Sequence, residues 1–153
     1  MESFAIASIV SLLLILMSAA IFYEILAHIW VRLPKLEGRP RLQILITIVS
    51  AFIGHTITIW LFGTAYYLLA NHAGFGDLRG NTEHEFMDYI YFSGVSYSSL
   101  GLGDVYPVGG LRLLIAVEAL LGLILIGWTI TFTYLVTDKY LTHRLKRHTK
   151  RDS

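Results

Sequence analysis

The stretch Ser98-Ser99-Leu100-Gly101-Leu102-Gly103-Asp104-Val105-Tyr106-Pro107 decides how this chain folds. Two glycines alternate with leucines, so the backbone can take conformations closed to residues with a Cβ and turn successive carbonyls to one side. A ring of such carbonyls can replace the hydration shell of a cation. One chain supplies one strand, so a closed ring needs several subunits. Gly-Leu-Gly-Asp is also what an ordinary loop turn is made of, because Gly and Asp are common turn formers. The surroundings choose between these readings.

Outward from this stretch the chain is strongly apolar: 55% of its 153 residues are hydrophobic and 15% are charged. A water-soluble domain of that size would lack the polar surface it needs, so the composition implies a membrane protein. Three runs, at residues 4–31, 44–70 and 111–136, reach the ~20 residues that cross a hydrocarbon core. Residues 86–97, just before the glycine stretch, are apolar and aromatic but too short to span, which suits a re-entrant helix. Non-helical backbone at that depth is tolerated only inside protein or beside a water-filled path.

The ends and loops add direction. Met1-Glu2 lacks the basic start of a secretory signal, and the first run is longer than a signal core, so it reads as a retained helix; Ser18-Ala19-Ala20 could imitate a cleavage site. Arg32, Lys35, Arg39 and Arg41 lie between the first two runs, and Lys139, Arg144, Lys146, Arg147, Lys150 and Arg151 follow the third. Basic residues stay on the cytoplasmic side. That puts the C-terminus inside, with the N-terminus and residues 71–104 outside, in the plasma (cell inner) membrane. The tail 139–153 is a basic cytoplasmic anchor that can also lie on anionic headgroups. Cysteine is absent, which excludes disulfides and thiolate chemistry.

With the short helix, the glycine stretch, Pro107 and a following span in order, the chain resembles the potassium channel pore-domain family. Ser98-Ser99-Leu100-Gly101-Leu102-Gly103-Asp104 looks like its TTVGYGD signature. The resemblance covers residues 42–138: outer helix 42–70, pore helix 86–97, filter 98–104 and inner helix 110–138, with 1–33 as an additional transmembrane helix. It implies an all-α homotetramer with no enzymatic turnover, conducting K+ as permeant ion with no cofactor. Its partners would be identical subunits and membrane lipid, not nucleic acid. Carbonyls of Ser99, Leu100, Gly101, Leu102 and Gly103 would line the filter, with K+ held by Ser99 to Leu102 and the Ser99 hydroxyl innermost. Ser98 and Asp104 would support the filter, Asp104 from behind the outer mouth. The dipole at the end of the pore helix would favour a cation in the cavity.

By the same resemblance Gly122 matches a hinge glycine, and Leu123, Ile126, Ile130 and Tyr134 face the axis, where Ile130 or Tyr134 could close the pore by dewetting. For each of these residues, close packing against neighbouring helices is the other reading. The chain departs from the family at the paired threonines, which are serines, at Leu102, where a tyrosine is usual, and at Val95, where some members carry a carboxylate partner for the filter aspartate. A GLG filter is also found in the family's two-pore branch. These departures leave a weakly selective K+/Na+ channel as the alternative.

Ionisable residues within spans are functional candidates because their burial is costly. Glu24 and His28 are four apart on one face and can pair locally. Glu118, level with the filter, is expected to brace the pore helix by accepting hydrogen bonds from it or from its hydroxyls at Ser96 and Ser98. His55 either reports pH or is a hydrogen-bonded packing residue. Asp77, Glu83, Glu85 and Asp88 outweigh Arg79 outside and could concentrate cations, or form a plain solvated loop. No span carries arginines at every third position, so no voltage-sensing ladder is present. A rival of another class is a haem-binding membrane anchor, a small three-helix protein with histidines in its spans.

Overall fold

The computed structural model describes residues 2–36, 39–71 and 75–149, with side chains between residues 4 and 139 of those ranges. Helix α1 (Glu2–Arg32) passes through a single 3₁₀ turn (Leu33–Leu36) to helix α2 (Pro40–Ala70). Strand β1 (Gly76–Gly80), helix α3 (Phe86–Tyr97) and strand β2 (Val105–Gly109) follow, and helix α4 (Leu111–Thr149) closes the chain. Three helices are long and apolar enough to cross a membrane: Phe4–Leu36, Pro40–Ala70 and Leu111–Lys139. The chain is therefore an all-α integral membrane protein in which α3 is the short fourth helix.

Local chemistry sets the helix ends. Pro40 sits in the first turn of α2, where its missing N–H costs nothing and its fixed φ suits the helix. At the start of α3, Glu85 and Asp88 form a reciprocal capping box. The Asp88 carboxylate also accepts from the Thr82 hydroxyl and the Glu83 N–H, each at 2.9 Å. The Thr82 hydrogen bond, aided by the backbone N–H donors, holds the Asp88 carboxyl below its ordinary range. Nothing in residues 139–149 breaks a helix, and α4 accordingly continues through them as helix beyond the apolar run.

The two strands were not visible as such in the sequence. They pair antiparallel, with Gly76 opposite Gly109, Leu78 opposite Pro107 and Gly80 opposite Val105. Pro107 is tolerated because a two-stranded ribbon is all edge. The pairing clasps the two ends of the segment that holds α3 and the glycine stretch.

One apolar cluster joins all four helices. Phe22 of α1, Phe62 and Tyr66 of α2, Phe92 of α3, and Leu111, Leu114 and Leu125 of α4 are buried in it. Aromatic rings fix α3 against α2: Tyr66 meets Phe92 edge-on at 5.7 Å, and Tyr67 meets Phe86 at 5.3 Å and Tyr89 at 5.5 Å. A large apolar surface remains exposed on single chains, as a bilayer or neighbouring copies require, and it includes Leu123, Ile124, Ile130 and Tyr134.

Candidate functional site

The site grows from the C-terminal end of α3. There the carbonyl of Val95 accepts from the N–H of Leu100 at 3.0 Å and of Gly101 at 3.4 Å, while the Ser99 N–H donates to Ser96 O at 2.9 Å. The chain thus leaves the helix by folding its first extended residues back onto the last turn. Ser99, Gly101 and Gly103 then take positive φ, at +57°, +55° and +78°, and Leu100 and Leu102 between them do not. This is an alternation of positive and negative φ, and glycine supplies two of its three positive-φ positions without steric cost. Ser99 is the third and is strained there.

Residues 98–104 are all exposed in the single chain, and a Cβ built on Gly101 or Gly103 would meet nothing within 4 Å. The leucine side chains are also free, 63% exposed at Leu100 and 59% at Leu102. Ser98 turns its hydroxyl inward and donates to Gly94 O at 2.8 Å.

Asp104 is tied to the site by a residue the sequence reading missed. The Tyr91 hydroxyl donates to Asp104 Oδ2 at 2.8 Å, one helical turn before Val95. Val95 cannot hold the aspartate, and Tyr91 does so from the same side of α3. That bond raises the Tyr91 phenol above its ordinary value. The Asp104 carbonyl in turn accepts from the Asn81 N–H at 2.8 Å, which links the end of the glycine stretch to the end of β1.

Glu118 is fully buried behind α3. Its partners differ from the expected Ser96 and Ser98. Ser93 donates to Glu118 Oε1 at 2.5 Å, and the Tyr66 hydroxyl donates to Oε2. Ser96 instead donates to Phe92 O at 2.7 Å within its own helix. The correction is a matter of level: Ser93 lies one turn nearer the start of α3 on the same face as Ser96. Tyr66 brings α2 into the same cluster, so one carboxyl group joins α2, α3 and α4.

Gly122 lies one turn further along α4, where the inner helix crosses the end of α3. A Cβ there would run into the Tyr97 carbonyl, so close approach of two helices accounts for the glycine. Further along α4, Leu123, Ile130 and Tyr134 are exposed and Ile126 is half-buried. In the outer segment, Asp77 accepts from the Tyr89 hydroxyl at 2.9 Å and lies 3.3 Å from His84 Nδ1. Burial, then Asp77, pushes the Tyr89 phenol up to about 12. In α1, His28 Nδ1 lies 3.6 Å from the Glu24 carboxylate, both side chains being well exposed. Among the described residues no three His, Cys, Asp or Glu side chains come together to hold a metal ion.

Two long spans that enclose a re-entrant helix and a glycine-alternating strand define a membrane protein of the pore-loop class. A family model described as "Ion channel", representing two-helix pores of the potassium-channel type, matches residues 54–137, more than half of the chain. The chain belongs to this ion-channel family and carries one further spanning helix, α1, before the matched region. Neither the curated proteins nor the solved structures include a significant match.

Proposed function

We propose that four copies of this chain form a potassium-selective channel, with the carbonyls of Ser99, Leu100, Gly101, Leu102 and Gly103 as the ion filter. The single observation that carries this reading is the exposed strand 98–104 with its alternating backbone. Unpaired carbonyls at membrane depth cost several kcal/mol each unless protein, water or an ion satisfies them. Dehydrated K+ on a fourfold axis satisfies them together. The described side chains offer no competing cation site, and Tyr91 and Asp104 hold the strand from behind.

K+ is the permeant ion and no cofactor is needed. Ile126, Ile130 and Tyr134 provide an apolar constriction at the inner gate, and Gly122 sets how closely the inner helix approaches the filter. The basic residues between the first two spans and at the end of α4 favour a cytoplasmic C-terminus and an outer filter mouth, in the plasma membrane.

A weakly selective K+/Na+ channel of the same fold is the second reading, favoured by Leu102, which cannot make the bond a tyrosine hydroxyl would. A haem anchor fits poorly, since both ring nitrogens of His55 are engaged in hydrogen bonds.

The test is K+ efflux from liposomes holding the purified chain or Gly101→Ala. A Cβ at left-handed φ costs about 1–2 kcal/mol per subunit, so efflux is expected to fall at least about tenfold. Equal efflux would remove the filter assignment. Reversal potentials in mixed K+ and Na+ separate the two channel readings: a shift near the Nernst slope for K+ excludes the weakly selective one.

A further inference from the structure

The imidazole of His55 sits where all four helices meet. It lies on α2, and each ring nitrogen faces a hydroxyl on a different helix. Nδ1 is 2.7 Å from the Tyr97 hydroxyl at the end of α3. Nε2 is 3.1 Å from Thr129 Oγ1 on α4. From α1, the fully buried Phe22 places its ring 4.8 Å from the imidazole and against Gly54.

The proton positions follow from the far end of this chain of bonds. Thr129 has one hydroxyl hydrogen, within reach of both Leu125 O at 3.0 Å and His55 Nε2. The arrangement that also gives the Tyr97 hydroxyl hydrogen an acceptor sends it to Leu125 O, so that His55 Nε2–H donates to the Thr129 oxygen. Nδ1 is then bare and accepts from the Tyr97 O–H. In this one neutral tautomer each hydroxyl and ring nitrogen from Tyr97 to Thr129 has a partner, and the Leu125 carbonyl ends the chain. The two ends matter for different reasons. Tyr97 is two residues before Ser99, and its carbonyl is the one Gly122 makes room for. Thr129 directly precedes Ile130, in the apolar constriction of the preceding section.

We propose that His55 is a positioning residue that couples the inner helix to the base of the filter, with α1 serving as the clamp on its ring. This rests on the channel reading above. When α4 shifts so that Thr129 leaves Nε2, the ring loses the acceptor that fixes its tautomer, and Tyr97 loses its fixed partner at the foot of the filter. A second proton on the ring does the same by chemistry, because Nδ1 becomes a donor facing the Tyr97 hydroxyl. The groups that meet the ring are Tyr97 from α3, Thr129 from α4 and Phe22 from α1, and of these Tyr97 alone can titrate; the Glu118 carboxyl on α4 acts on Tyr97 through space. The additional helix thereby acquires a function: it braces a ring that connects gate to filter.

The test is K+ efflux from liposomes at equal pH on both sides, from about pH 8 to about pH 5, across the ordinary titration range of histidine. The full chain is compared with Tyr97→Phe, Thr129→Val and Phe22→Leu. Wild-type efflux is expected to fall about threefold or more toward pH 5, and Tyr97→Phe and Thr129→Val to stay at the low level throughout. Phe22→Leu should show an intermediate pH response. A wild type indifferent to pH, or either hydroxyl variant keeping the wild-type profile, would overturn the proposal; an unchanged Phe22→Leu would overturn the part given to α1.

A second readout is independent of conduction. Nitrogen NMR of the His55 ring in the same bilayers should find the hydrogen on Nε2 at pH 8, with that preference lost in Thr129→Val. A hydrogen on Nδ1 in the wild type would also overturn it. Absence of efflux from every form would strike at the channel reading instead, and the ring-nitrogen assignment would then decide the bridge by itself.

Discussion

The strand at 98–104 and the cluster around Glu118 both lean on the short helix α3, yet they are finished to different degrees. Around Glu118 every polar contact is made within one chain: Ser93 and Tyr66 donate, the carboxyl group accepts, and all three side chains are fully buried. In the strand the main chain has left-handed residues, exposed leucines and no neighbour within 4 Å of where Gly101 or Gly103 would carry a Cβ. The difference teaches where this protein places its self-sufficiency. A single chain completes the scaffold, whereas the working surface stays open for something outside the chain to complete.

The largest effect should therefore fall on the strand and spare the scaffold. Gly101→Ala is expected to reduce efflux at least about tenfold while helix content and thermal unfolding of the detergent-purified chain hardly move; a variant that unfolds instead would blur the contrast. Glu118→Ala should do the opposite. It strands the buried Tyr66 hydroxyl, at about 1–3 kcal/mol, while Ser93 keeps the Ile59 carbonyl at 2.9 Å, and it lowers the midpoint of thermal unfolding, whereas Glu118→Gln, which can still accept, should recover part of the loss. Gly122→Ala comes next, with about 1–3 kcal/mol of overpacking against Tyr97; unchanged stability with altered opening would favour the hinge reading of that glycine.

Tyr91→Phe probes the side-chain hydrogen bond that ties Asp104, at the end of the strand, to α3. Its loss is expected to show as weaker K+ over Na+ discrimination in reversal potentials, with the fold intact. The smallest effect concerns Asp88 at the start of α3. Its carboxyl lies below the ordinary range in the folded chain, so its contribution is present above the unfolded value near about 4 and is lost as pH falls through the folded one. Thermal unfolding followed down this acid range should show a shallow decline that Asp88→Asn flattens.

How much of this was legible beforehand varies by element for physical reasons. The three spans and the short helix Phe86–Tyr97 could be read because apolar length alone separates a crossing helix from a re-entrant one. The positions of Gly101 and Gly103 pointed to left-handed backbone because no other residue takes it so freely. Ser99 in the same conformation carried no such mark. Strands β1 and β2 went unread since GDLRG and VYPVG are short, contain glycine or proline, and pair only across the intervening helix. The partners of Glu118 needed the relative level of α3 and α4, which hydropathy does not fix; Ser93 and Ser96 are equivalent as sequence and differ only by one turn of height. Tyr91 and the His55 bridge depend on meeting points between helices, and a lone tyrosine or histidine does not announce its neighbour.

The pairing of Gly76 with Gly109 has a mechanical meaning. Because entry and exit of the segment are stitched together, α2 and α4 hold it at a single neck, as a gemstone is held in a bezel by one collar. Pulling on either long helix reaches the stone as rotation of the whole setting rather than as stretching of the chain through it. Any deformation of the strand itself must then arrive sideways, through the helix flanks that touch it, and not along the thread.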